Sequence, residues 1–120
     1  MPTPDGEKMQ VEEIGDVTVV RMKVLRLATD EETESTFARL FELVENTAHR
    51  KLVLDLSTIE YFASAALGKL VTLNRKARAA DARLVLCRPT PTVQRILQIT
   101  RLNDVLLTYD SELEARQSFK

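Results

Sequence analysis

The sequence predicts an α/β sandwich: one domain with a mixed β-sheet of about five strands, an antiparallel hairpin at its N-terminal end and about four helices. Two observations carry this. Residues 52–56 and Arg83–Cys87 are near-continuous apolar runs of strand length, joined by a stretch of helical period. Such strands imply a parallel pair covered on both faces and linked by a right-handed crossover. Upstream, Met9–Ile14 and residues 17–24 read as strands around Gly15-Asp16, a pair that suits a two-residue hairpin with Gly at the first turn position.

Composition narrows the class. The 120 residues are enough for one domain and too few for two comfortable ones. A domain of this size buries roughly two-thirds of the surface its unfolded chain exposes, so it needs no disulfide. The net charge of −1 gives no electrostatic case for nucleic acid or an anionic membrane as partner. Cys87, the only cysteine, cannot form an internal disulfide and suits a reducing cytosol. No apolar run approaches the roughly 20 residues that span a bilayer. The opening MPTPDGEK lacks the basic-then-apolar pattern of a signal peptide, so a cytoplasmic protein is expected.

In chain order, residues 1–8 are polar and proline-containing, and are expected to form a flexible tail ahead of a domain over 9–119. Residues 25–29, after the hairpin, are ambiguous. A helix then starts at Thr29 or Asp30: Thr29 with Glu32 fits a capping box, and Asp30, Glu31 and Glu32 complement the positive end of the dipole. Phe37, Leu40, Phe41 and Val44 form its packing stripe, and residues 46–50 end it. The strand over 52–56 leads through Ser57-Thr58 to Tyr61-Phe62. Leu67, Leu70, Val71 and Asn74 then recur at helical spacing, which makes Ser64 the N-cap of a helix. Residues 80–82 turn the chain into Arg83–Cys87. Thr90 caps the next helix, with Pro91 at its first position and Val93, Ile96 and Leu97 as its apolar face. Residues 105–109 read as a short last strand, followed by a helix from Asp110 or Ser111 through Leu113 and Ala115.

The centre of this chain resembles a known family. Leu54-Asp55-Leu56-Ser57, Ile59, Tyr61, Ser64, Leu67-Gly68 and Leu70 match the pattern "LDLSGVxFxDSSGLGxL" of bacterial STAS domains, the sulphate-transporter and anti-sigma factor antagonist module. The likeness continues through Arg83–Cys87, Pro91–Ile99, the "TGL"-like Thr100-Arg101-Leu102 and the last strand. It implies a protein-interaction module rather than an enzyme, without a cofactor. An anti-sigma factor serine kinase of the GHKL ATPase type would bind it and phosphorylate Ser64, and a PP2C-type phosphatase would reverse the modification. The implied contact surface is Tyr61, Phe62, Ala63, Ala65, Ala66, Lys69, Thr72 and Arg75. One of Tyr61 and Phe62 is expected to point into the core, and Lys69, Arg75, Lys76 and Arg78 read equally as a solvated face. The sequence departs from the family where Ala63, Ala65 and Ala66 replace Asp, Ser and Gly, and where Val24-Leu25-Arg26-Leu27 stands in place of "GELD".

Catalysis finds no support in the residues. His49, the only histidine, reads as a solvated helix end, and Ser64 lacks the flanking glycines of a nucleophile elbow. Cys87 reads as packing. Neither clustered metal ligands nor a P-loop is present. Two alternatives compete with a Ser64 switch. One is a response-regulator receiver phosphorylated on Asp55, although the acidic pair that would hold Mg²⁺ at the end of the first strand is missing. The other is a STAS module that binds constitutively, with Ser64 only a cap.

Overall fold

The hairpin forms where the sequence places it. In the computed structural model, which describes residues 8–28, 31–46 and 49–119, β1 (Met9–Ile14) and β2 (Val17–Met22) pair antiparallel from Met9↔Met22 to Ile14↔Val17. Gly15 takes φ +64° at the first turn position, a conformation that glycine adopts without steric cost. The tail expected at 1–8 lies outside the described residues up to position 7, as does the Thr29–Asp30 helix start.

Next come β3 (Arg26–Leu27), α1 (Glu31–Glu45), β4 (Lys51–Asp55), β5 (Tyr61–Phe62), α2 (Ser64–Ala79) and β6 (Arg83–Cys87). The chain finishes with α3 (Pro91–Ile99), a 3₁₀ turn (Leu102–Asp104), β7 (Thr108–Tyr109) and α4 (Glu112–Gln117). The main sheet has the order β1-β2-β4-β6-β7, parallel from β2 onward. This is the expected mixed α/β fold. A second ladder, β3 with β5, was not expected: the ambiguous residues after the hairpin pair with the aromatic segment, Arg26↔Tyr61 and Leu27↔Phe62.

Alternation along the strands divides the core in two. Val20, Met22, Leu52, Leu54, Leu84 and Leu86 pack with the apolar faces of α1, α2 and α3. Val17, Val19, Val53, Val85 and Cys87 face Ala115 of α4, with Phe119 beside them. With both faces covered, β4 and β6 read as continuous apolar runs. In α1 the buried stripe is Phe37, Leu40, Leu43 and Val44. Phe41 shifts to the flank, half-buried, where the Lys76 ammonium lies 5.5 Å from its ring centroid. The α3 and α4 starts are as expected: the Thr90 and Ser111 hydroxyls accept from the Val93 and Glu114 amides at 3.3 and 3.1 Å.

Two expectations need correction. The last strand is only Thr108–Tyr109, because Leu106 turns into the core, 1% exposed, and takes the chain off the sheet edge. His49 is half-buried rather than solvated, its Nδ1 3.0 Å from Thr18 Oγ1. It precedes β4 whereas Ser64 follows it, so the sheet keeps the two at opposite ends of the parallel strands.

One polar cluster lies beneath α4. Arg21, in register with Asp55, donates to Glu112 through Nε at 2.8 Å and Nη2 at 2.9 Å, and to Glu12 through Nη1 at 2.6 Å. Asp55 is 2% exposed; it accepts from the Ser57 amide at 2.9 Å and from Arg88 Nη1 at 3.4 Å, and shares a hydrogen bond with the Glu112 carboxyl. Burial raises the pKa of Asp55, so its ionisation opposes folding at neutral pH. The Arg21 hydrogen bonds, aided by Asp55, bring Glu112 down to about 2. Burial, with Asp55 and Glu112 nearby, pushes the Cys87 thiol up to about 12.

Because the folded pKa of Glu112 is depressed from 4.5, its stabilisation is complete above that value and is lost as pH falls toward about 2. Glu112→Gln should therefore cost about 2 kcal/mol at pH 7. In urea titrations the gap between the two proteins should close progressively below pH 4.5. A gap independent of pH would show that Glu112 acts by packing alone.

Candidate functional site

Ser64 is placed by the chain that leaves β4. The Leu56 amide donates to the Cys87 carbonyl at 3.0 Å, continuing the sheet past Asp55. The Thr58 hydroxyl donates to the Met22 and Val24 carbonyls, both at 2.9 Å, and the Thr90 hydroxyl holds the Ile59 carbonyl at 2.7 Å. The Glu60 and Tyr61 amides then donate to Leu25, and the Ala63 amide to Leu27 at 2.8 Å. Together these bonds fix the position and direction in which α2 begins.

The start of α2 corrects the sequence reading by one residue. Ala63 is the N-cap: its backbone is extended (φ −73°, ψ 154°) and its carbonyl accepts the Ala66 and Leu67 amides at 3.0 and 3.1 Å. Ser64 is the first helical residue. The β3–β5 ladder causes the shift, because pairing with Leu27 keeps Ala63 extended. Alanine offers no side-chain oxygen, so α2 starts without a side-chain cap and with no acidic residue in its first turn. A helix N-terminus in this condition carries unpaired amides and a partial positive charge. Ser64 and Ala65 are exposed on it.

The other expected contact residues divide by burial. Tyr61 is 52% exposed and lies beneath the Arg26 guanidinium, 5.9 Å from its ring centroid. Phe62 points inward, 4% exposed, as expected for one of the pair, and Ala66 is fully buried. Phe62 and Ala66 therefore support the surface from below and do not form it. Ala63 is half-buried at the helix start. Lys69 is not an outward-facing charge: its ammonium pairs with Glu34 of α1 at 2.9 Å. Thr72 is half-buried, its hydroxyl donating to the Gly68 carbonyl at 3.1 Å, while Arg75 is exposed farther along α2. Leu25, 60% exposed next to Tyr61, was missed from the sequence because residues 25–29 show no periodicity.

The receiver reading does not survive. Asp55 is buried and hydrogen-bonded, and Arg21 occupies the neighbouring strand position where a receiver would supply acidic metal ligands. Residues 8–115 match the STAS domain family model. The chain belongs to the STAS family. The protein named anti-sigma factor antagonist BtrV, from Bordetella bronchiseptica, is 25% identical over 114 residues, 94% of this chain and 95% of BtrV. Among solved structures, an anti-sigma factor antagonist (STAS) domain protein from Planctomyces limnophilus superposes with a TM-score of 0.80 at 23% identity, covering 92% of this chain and 96% of its own. The Bacillus cell fate determinant SpoIIAA in its phosphorylated form gives 0.69 at 19%, covering 93% and 99%. These two likenesses show the shared fold. Among the described residues, no helix is long and apolar enough to cross a membrane.

The uncapped start of α2 gives a direct test. Ala63→Asp should raise stability by about 1 kcal/mol, seen as a higher Tm, by supplying the missing cap oxygen.

Proposed function

We propose that this STAS protein is an anti-sigma factor antagonist switched by phosphorylation of Ser64. In this reading an anti-sigma factor serine kinase of the GHKL ATPase type binds the surface around Tyr61, Leu25, Ser64 and Ala65 and transfers phosphate to the Ser64 hydroxyl. A PP2C-type phosphatase removes it. The observation that carries the reading is an exposed serine at the first position of a helix that lacks a side-chain cap.

The physics separates folding from binding. A phosphoryl group adds about −1.5 to −2 charges at pH 7. On Ser64 it would sit against the free first-turn amides, which favour an anion, so the domain keeps its fold. A partner covering the same helix end would have to desolvate a dianion, and the complex is lost. Modification thus releases the partner without unfolding the antagonist.

One observation favours a second reading, a constitutive STAS module. Ala63, Ala65 and Ala66 occupy positions where the family pattern has Asp, Ser and Gly, so the site lacks a carboxylate that could orient the hydroxyl.

Intact-mass analysis with site mapping, on protein isolated from its own host, separates the two readings. Phosphate on Ser64, abolished by Ser64→Ala, is the expected result. Ser64→Asp should weaken kinase binding by at least about tenfold while shifting Tm by no more than a few degrees, since acidic groups are favourable in a first helical turn. Unmodified Ser64 across growth conditions would instead establish the constitutive module.

A further inference from the structure

Arg116 leaves a polar atom unsatisfied on the α4 side of the sheet. Among the described residues, its Nε is the one enclosed side-chain nitrogen or oxygen without a hydrogen-bond partner. Enclosed polar atoms are normally paired, so this donor is an exception. Arg116 belongs to the last turn of α4, where a cation complements the helix dipole. That accounts for a positive charge but not for its burial. An arginine serving the dipole alone keeps its head in water, whereas this one is half-buried.

Arg116 lines a cleft of about 390 Å³ between the end of α4, the hairpin turn and the start of β4. Leu113, one turn earlier on the same helix face, lines it too and is 52% exposed. Ile14 and Phe119 extend this apolar wall, both half-buried against the core on the α4 side. The Arg83 guanidinium, 5.8 Å from the Phe119 ring centroid, steadies that ring. The other cation in the lining, Lys51, is already neutralised by Asp16 at 2.5 Å. The cleft therefore sets one uncompensated positive charge beside an apolar wall, the combination expected of a small-molecule site.

These properties select the ligand. One free charge suits a monoanion, because a dianion such as a phosphate monoester would bring its second charge into the cleft that Asp16 shares. The planar guanidinium matches a carboxylate, which it can hold with two parallel N–H donors. We propose that this cleft binds a small carboxylate with an aliphatic tail, its charge on Arg116 and its tail along Ile14, Leu113 and Phe119. No hydrogen bond to the described residues holds Arg116 in its present rotamer, so the side chain can turn its Nε edge to the carboxylate. The bound molecule would bridge α4 and the hairpin and hold the helix on the sheet. Ser64 lies elsewhere: α2 covers the opposite face, and Lys51 begins the strand whose far end leads to Ser64. Occupancy here is therefore independent of modification at Ser64.

The test titrates octanoate into the full chain and follows backbone amide and arginine Nε–H signals by NMR. Saturable binding is expected, with shifts confined to the surroundings of the cleft and a displaced Arg116 Nε–H signal. Octan-1-ol, which keeps the tail, and acetate, which keeps the charge, should each bind at least about tenfold more weakly. Arg116→Gln should weaken octanoate roughly tenfold, and Ser64→Asp should leave it unchanged. The proposal is overturned by absence of saturable binding, by an unmoved Arg116 Nε–H signal, or by equal affinity for octan-1-ol. Unchanged affinity in a folded Arg116→Gln overturns it too, and tighter binding of octyl phosphate would overturn the assignment to a carboxylate. If circular dichroism shows Arg116→Gln unfolded, the comparison of octanoate with octan-1-ol on the unaltered chain decides alone. None of these results bears on phosphorylation of Ser64, which is measured separately by mass.

Discussion

The structure depends on the burial of β4 on both faces. Because β2 and β6 flank it in parallel, and helices cover both sides of the sheet, its side chains from Leu52 to Asp55 have no route to water. The apolar run of this strand follows directly. So does the cost of its one buried polar member, Asp55, which is kept there only with the Ser57 amide, Arg88 and Glu112 around it. That requirement couples the end of the central strand to α4, far away in sequence. The exit from β4 then sets the course of every residue up to Ser64.

Legibility in the sequence follows the physical range of each determinant. The hairpin at Gly15, the runs of β4 and β6, and the caps at Thr90 and Ser111 are dictated by a few neighbouring residues, and all lie where the sequence places them. The β3–β5 ladder has two residues per strand, too short to show a period, and exists because Leu25 and Leu27 accept amides from a distant segment. The helix start moves from Ser64 to Ala63 for the same reason: a tertiary bond decides the conformation of Ala63, overriding the local preference of serine for the cap. At the site, Tyr61 outside and Phe62 inside agree with the expectation that one aromatic is core. The burial of Ala66 and the Lys69–Glu34 pair depend on how α2 lies against its neighbours, which spacing alone does not encode.

A serine beside an uncapped helix end joins two requirements that usually conflict. A regulatory group, the role proposed for Ser64, must be accessible, yet its modification must not disturb the fold. Here accessibility comes from the edge position of α2's first turn, and tolerance comes from amides that have no side-chain partner of their own. The supporting layer of Phe62 and Ala66 is buried, so the surface presented to a partner rests on core packing rather than on a mobile loop.

Cys87 has a consequence of a different kind. Its thiol is fully enclosed in the sheet, and its pKa is pushed up to about 12, so almost none of it is the reactive thiolate at neutral pH. Oxidants and electrophiles therefore meet no thiolate at Cys87 in the folded state. The same enclosure makes this single thiol an intrinsic chemical clock. It becomes reactive only when the sheet opens, and the rate at which an alkylating reagent consumes it measures how often that happens.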